Sequence, residues 1–221
     1  MMAAYYTTAQ MVDLVELYID KFASEEKEVL NAARPLLTAL LNRGQLDVVG
    51  LLDRKNLDIL DKNQTVTVDA SGAYALGSLT AAAYNGAESV DEVLLVGGKY
   101  CVRKTFDEYK KMVNNDYVFA ATEPICYFRG ENVYVEPYTA STTSIKIYYM
   151  STPTTHVDGS GTPTAFSQPV LEIIVEYTAS LAYNYMQKPD MSQAALKNSL
   201  MSINVMNNKQ IIIEQTQAGL D

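Results

Sequence analysis

The chain has 221 residues, 48% hydrophobic and 19% charged, which is the composition of a folded globular protein and enough length for one domain with a sizeable core, or one carrying an appendage. Its formal net charge of −9 excludes a large surface built to grip phosphates. Two cysteines, Cys101 and Cys126, stand far apart without a CxxC pairing and read as reduced, buried thiols rather than a disulfide framework. The opening MMAAYYTTAQMVDLVELYIDKF has no basic start followed by a continuous apolar block, so neither a signal peptide nor a membrane span is expected, and synthesis is cytoplasmic.

In chain order, Met11, Leu14, Val15, Tyr18, Ile19 and Phe22 recur at three- and four-residue steps and predict a helix over 8–23, capped by Thr7 or Thr8. Ser24, Glu25 and Glu26 open a second helix over 25–43, with Gly44 as its stop. Pro35 inside that pattern implies either a kink or a restart with the proline in a first turn. Residues 45–60 form a short helix or an irregular crossing segment. From Gln64 the period becomes two: strands are expected over 65–70 and 73–76 around a Ser71-Gly72 turn, then over 89–96 and 99–104 around Gly97-Gly98. A short helix over 105–112 carries Thr105 and Glu108 at capping-box spacing.

The next stretch is dense in tyrosine. Strands are expected over 125–128 and 133–136 around the turn Arg129-Gly130-Glu131-Asn132, followed by a third over 144–150. In that third strand Ile145, Ile147 and Tyr149 face one way, and Lys146 and Tyr148 the other. A surface loop over 152–169 leads to a long apolar helix over 170–186. Lys188-Pro189-Asp190 breaks it, and a last helix spans 192–206. The fold class is therefore α+β: N- and C-terminal helices form a bundle, an antiparallel β-rich part over 64–153 is inserted between them, and an extended tail over 209–221 follows a single domain over 1–208.

Catalytic chemistry finds little material. The single histidine, His156, lies in the loop two residues before Asp158 and reads as a solvated side chain. Asp13, Glu16 and Asp20 share the helix face opposite the apolar stripe and read as solvent-facing rather than as paired acids. Neither Gly97-Gly98 nor 159–161 sits in a phosphate-loop motif. No enzyme, metal or cofactor is expected.

Sixteen tyrosines against five phenylalanines favour surfaces where one end of a ring is dry and the other wet. Individually Tyr134, Tyr148 and Tyr149 are explained as half-buried sheet residues; as a set, with Tyr138, they are candidates for an interface between subunits or with a tail component. Ile211, Ile212 and Ile213 suit an extended strand, and with Glu214 and Leu220 they form a candidate docking tail, to be covered by an earlier sheet edge of the same chain or by another molecule.

The succession QTVTVDASGAYALGSL, ESVDEVLLVGGKYCVRKTFDEYKKM, CYFRGENVYVEPYTASTTSIKIYYMSTPT and the helix PVLEIIVEYTASLAYNYM resembles the head-to-tail adaptor, or connector, proteins of tailed double-stranded DNA bacteriophages. The resemblance runs from Ala9 to Met206, with Pro35 and residues 45–60 as departures. It implies a structural virion protein made in the host cytoplasm and placed at the head–tail junction. It further implies a homo-oligomeric ring, usually of twelve copies, beneath the portal protein, joined to a downstream tail or second adaptor protein. DNA would pass through its channel without sequence-specific binding, past like charge that keeps it from sticking, and no membrane would be involved. The alternative is a tail-associated module without ring formation that recognises carbohydrate or protein through exposed tyrosines.

Overall fold

The structure is a computed structural model that describes residues 6–20, 34–95, 97, 99–120, 122–139, 142–156 and 164–218, with Asp20 and residues 209–218 described through their backbone alone. The chain divides into two compact units, Met1–Ile59 with Pro153–Asp221, and Leu60–Thr152. The architecture is α+β, with helices from both ends of the chain flanking a central, largely antiparallel β-rich region.

The first unit is helical. Helix α1, Thr8–Asp20, buries Met11, Val15 and Ile19 of the expected stripe and half-buries Leu14 and Tyr18; Val12, outside that stripe, is buried too, and Phe22 lies outside the described residues. Helix α2, Arg34–Leu51, has Pro35 in its first turn, where a missing N–H leaves no helix bond unmade. The part of the expected 25–43 helix that precedes it, and the caps offered by Ser24 to Glu26, lie outside the described residues. Gly44 does not stop the helix. Its missing side chain lets α2 lie against Thr178, whose Oγ1 would sit 2.5 Å from a Cβ added at Gly44. Residues 45–60 are thereby settled as the second half of α2, burying Val48 and Val49, followed by two short 3-10 turns, Arg54–Asn56 and Asp58–Leu60.

Two further helices complete this unit. Helix α4, Gln168–Tyr185, starts with Pro169 in its first turn and packs against α1, α2 and the last helix. It is accordingly apolar on most sides: Val170, Ile174, Thr178, Ala179, Ala182 and Tyr183 are all buried, and the Tyr183 hydroxyl donates to the Ile19 carbonyl at 3.2 Å. Gln187, at φ 57°, turns the chain, and Pro189 begins α5, Pro189–Ala218. The expected end near Asn207 and the extended tail are both overturned: the backbone stays helical through Ile211, Ile212, Ile213 and Glu214 to Ala218. No glycine or proline interrupts the chain between Pro189 and Gly219, so only the isoleucines' β preference argued for a strand, and propensity of that kind yields readily. Leu220 lies outside the described residues.

The second unit is a sandwich of two four-stranded sheets. Strands β1 (Asp61–Thr67), β8 (Ser144–Met150), β3 (Val90–Leu95) and β4 (Lys99–Tyr100) form one in that order; β2 (Ala73–Ala75), β7 (Asn132–Glu136), β6 (Ile125–Arg129) and β5 (Val102–Lys104) form the other. Their facing sides share one core that includes Val66, Val93, Val133, Val135, Ile145 and Ile147. Strand β8 alternates as expected, with Ile145, Ile147 and Tyr149 buried and Lys146 and Tyr148 half-buried. It lies between β1 and β3, so β7 and β8 belong to different sheets and the 137–143 connection crosses between them.

The expected strand over 99–104 also divides between sheets. Lys99 and Tyr100 pair with β3, the Cys101 N–H donates to the Val93 carbonyl at 2.8 Å, and Val102–Lys104 then runs parallel to β6. A short helix, α3, Phe106–Asn114, follows with the predicted capping box: the Glu108 N–H donates to Thr105 Oγ1 at 3.2 Å and the Thr105 N–H to Glu108 Oε2 at 2.7 Å.

Candidate interaction surfaces

In the sandwich, the hairpin β6–β7 turns through Gly130 at φ 59°, pairing Tyr127 with Tyr134 across the strands. Their rings stack at 5.0 Å and 4°, and Tyr109 of α3 closes on Tyr127 at 4.0 Å, with Phe119 5.9 Å beyond it. Phe106 joins at 5.7 Å from Tyr127 and lies under Lys110 and Arg129, 4.4 and 5.0 Å from its centre. A column of rings therefore pins α3 to the sheet. Burial and the neighbouring Tyr109 push the Tyr127 hydroxyl well above the usual phenol range, and burial raises the Glu136 carboxyl, which accepts from the Tyr109 hydroxyl at 3.4 Å.

The four candidate tyrosines separate in this frame. Tyr149 is 2% exposed and fills the sandwich core, so it is withdrawn as a contact for a partner; alternation places it on the same side as Ile145 and Ile147. Tyr134 and Tyr148 are half-buried on outward faces, the latter with Lys146 Nζ 4.8 Å above its ring. Tyr138 is half-buried too, its ring lying against Gly72 so closely that a Cβ there would fall 2.5 Å from it. Because Gly72 also holds φ 74°, the Ser71-Gly72 turn owes its glycine to both shape and space.

The helical unit holds a polar cluster that the sequence conceals. His156 is 3% exposed, not solvated. Gln45 Nε2 donates to the Thr154 carbonyl, which leaves Gln45 Oε1 to accept from His156 Nε2–H at 3.1 Å. Nδ1 then accepts from the Thr8 hydroxyl at 3.3 Å, so the ring is held neutral, its pKa lowered by burial to about 4. Asn42 clamps the same residue's backbone, donating to its carbonyl at 2.9 Å and accepting from its N–H at 2.6 Å. Nothing in this arrangement is set up to move a proton; it fastens residues 154–156 to α1 and α2. Asp158 lies outside the described residues. Asn42 and Gln45 are ordinary polar residues in the sequence, and Thr8 reads there only as a candidate helix cap, until the fold gathers them around His156.

The acidic face of α1 is not wholly solvated either. Arg34 reaches Asp13 at 2.8 Å and Glu16 at 3.5 Å, tying the start of α2 to α1; the side chain of Asp20 lies outside the described residues. Cys101 and Cys126 are free, as expected, with burial pushing their thiols up to about 11 and about 12, so neither is a ready nucleophile. Among the described residues no group of three or more His, Cys, Asp or Glu side chains gathers to hold a metal. None of the described helices is long and apolar enough to cross a membrane.

The last helix carries an outward face and an inward tie. Helix α5 exposes Leu200, Met201 and Val205, at 39, 57 and 51%. Asn207 on the same helix donates from Nδ2 to the Leu51 carbonyl at 3.2 Å, while its Oδ1 accepts from the Asp53 N–H at 3.0 Å and from Asn56 Nδ2 at 3.2 Å. It joins α5 to the end of α2, and the sequence carries no signal of it.

The exposed apolar positions of α5 and the half-buried tyrosines of the sandwich are surfaces suited to contact with other proteins. The chain belongs to the SU10 adaptor protein family, whose profile it matches over residues 6–215. It is accordingly a bacteriophage head–tail adaptor, a structural, non-catalytic component of the virion. No curated protein matches it.

Proposed function

We propose that the protein forms a ring beneath the portal, joins it to the tail, and contributes to the wall of the DNA channel. The observation that carries this is the family match over residues 6–215, which takes in both compact units. The acidic balance of −9 supports a wall past which DNA slides, since like charges at short range repel. Replacing the carboxylates of that wall by amides should slow DNA ejection, and an unchanged ejection rate would overturn the repulsive role.

The last turns of α5, with Ile211, Ile212, Ile213 and Glu214, and with Leu220 beyond, are the proposed docking segment for the portal. Tyr134, Tyr138 and Tyr148 are the proposed contacts to neighbouring subunits or to the tailward partner. The test is the size of the protein alone and mixed with its portal, for the full chain and for one ending at Asn208. The full chain should co-migrate with the portal and the shortened one should not. Retained binding by the shortened chain would remove the docking role from residues 209–221 and leave the adaptor role standing. Alanine variants of the three tyrosines should fold and fail to assemble.

A further inference from the structure

Between α1 and α4 of the helical unit runs a groove of about 290 Å³, floored by Leu171 and Val175 and flanked by Leu17 and Tyr18. Leu17 is 54% exposed, so the groove is open on its α1 side. Its α4 rim carries two acids one turn apart, Glu172 and Glu176. Burial and the neighbouring Glu172 both raise the Glu176 carboxyl above the ordinary range, and among the described residues no salt bridge reaches either acid. An apolar floor beside two crowded carboxylates fits a partner that is apolar and basic.

A surface of that kind lies on α5 of the same unit. The exposed Leu200, Met201 and Val205 of α5 follow Lys197, also exposed, which stands one turn before Met201. Between Met191 and Ile213 the only charged residues are Lys197 and Lys209, both basic, in a chain whose net charge is −9. Ridge against groove sets lysine against glutamate and leucine against leucine.

We infer that the outer face of α5 around Lys197 and Met201 docks into the α1–α4 groove of a second copy of this chain, Lys197 meeting Glu172 and Glu176. Each copy then gives one ridge and receives one, a head-to-tail contact that repeats from copy to copy and closes when the rotation allows. The inference rests on the proposed ring-forming role and names the surfaces that would build it.

Charge exchange tests it. Glu176→Lys and Lys197→Glu each place like charges across the contact and should weaken self-association at least about tenfold. In an equimolar mixture of the two variants, alternating copies again set opposite charges between positions 176 and 197, and the size of the wild-type assembly should be recovered by sedimentation velocity, as it should for the doubly exchanged chain. Failure of the mixture to recover would overturn the pairing. The contact is also readable in virions whose protein carries Leu17→Cys and Met201→Cys: mild oxidation should give a ladder of linked copies on a non-reducing gel. Virions holding several copies but giving no ladder would overturn this contact while leaving the ring intact; virions holding one copy would overturn the ring itself.

Discussion

Gly44 and Thr178 meet where α2 crosses α4, and the contact is close enough that one methyl group decides it. Gly44→Ala should destabilise the protein by about 1–3 kcal/mol, because overpacking a tight crossing forces backbone apart. Thr178 Oγ1 donates only to its own helix, at the Ile174 carbonyl, so adding Thr178→Ala should return much of the loss in urea unfolding. His156 gives a second residue-scale expectation. Its folded pKa of about 4 lies below the ordinary imidazole value of 6.5, so the unfolded chain binds the proton first as pH falls. The contribution of the neutral ring is therefore whole above about pH 6.5 and declines as pH drops toward 4, by up to roughly 3 kcal/mol for a shift of that size. Urea midpoints measured between pH 7 and pH 4.5 should fall less steeply for His156→Gln than for the wild type, and equal slopes would remove His156 as the cause.

Elements were legible where one side of a segment faces a core and the other faces water. The alternation in β8, the stripe of α1 and the capping box of α3 follow from spacing alone, since burial on one face imposes a period on the sequence. The 99–104 stretch was not legible in the same way: its two halves lie on the edges of different sheets, and nothing in KYCVRK records which strand each half pairs with. The end of α5 was missed because three isoleucines are compatible with either state and no breaker intervenes. Asn207 supplies the last described side-chain tie between α5 and the rest of its unit. A chain ending at Asn208 should accordingly keep the full-length melting temperature, whereas Asn207→Ala should lower stability by about 1–2 kcal/mol through the loss of its hydrogen bonds. A large drop in melting temperature for the shortened chain would show that residues 209–221 hold the fold.

At the scale of the molecule, the sandwich enters and leaves at one place. Asp61 pairs with Met150, and the Ser151 N–H donates to the Leu60 carbonyl at 2.8 Å, so the ends of the Leu60–Thr152 unit are side by side. A unit with adjacent ends and its own core should fold when made alone. A fragment over 60–152 should show dispersed amide resonances and one cooperative unfolding transition; a collapsed, undispersed spectrum would mean that the helical unit is needed to shape it. Fold class, the alternation of β8, the stripe of α1, the capping box of α3 and the resemblance that led to the family were readable without the fold. Those properties are written locally, in period, turn chemistry and composition. It took the folded chain to show that Gly44 continues a helix, that Tyr149 belongs to the core, that His156 is locked neutral by Thr8 and Gln45, and that acidic groove and basic ridge stand on one helical unit. Each of these depends on residues tens to more than a hundred positions apart being brought within a few ångströms, and no local pattern encodes which distant neighbour a side chain will meet.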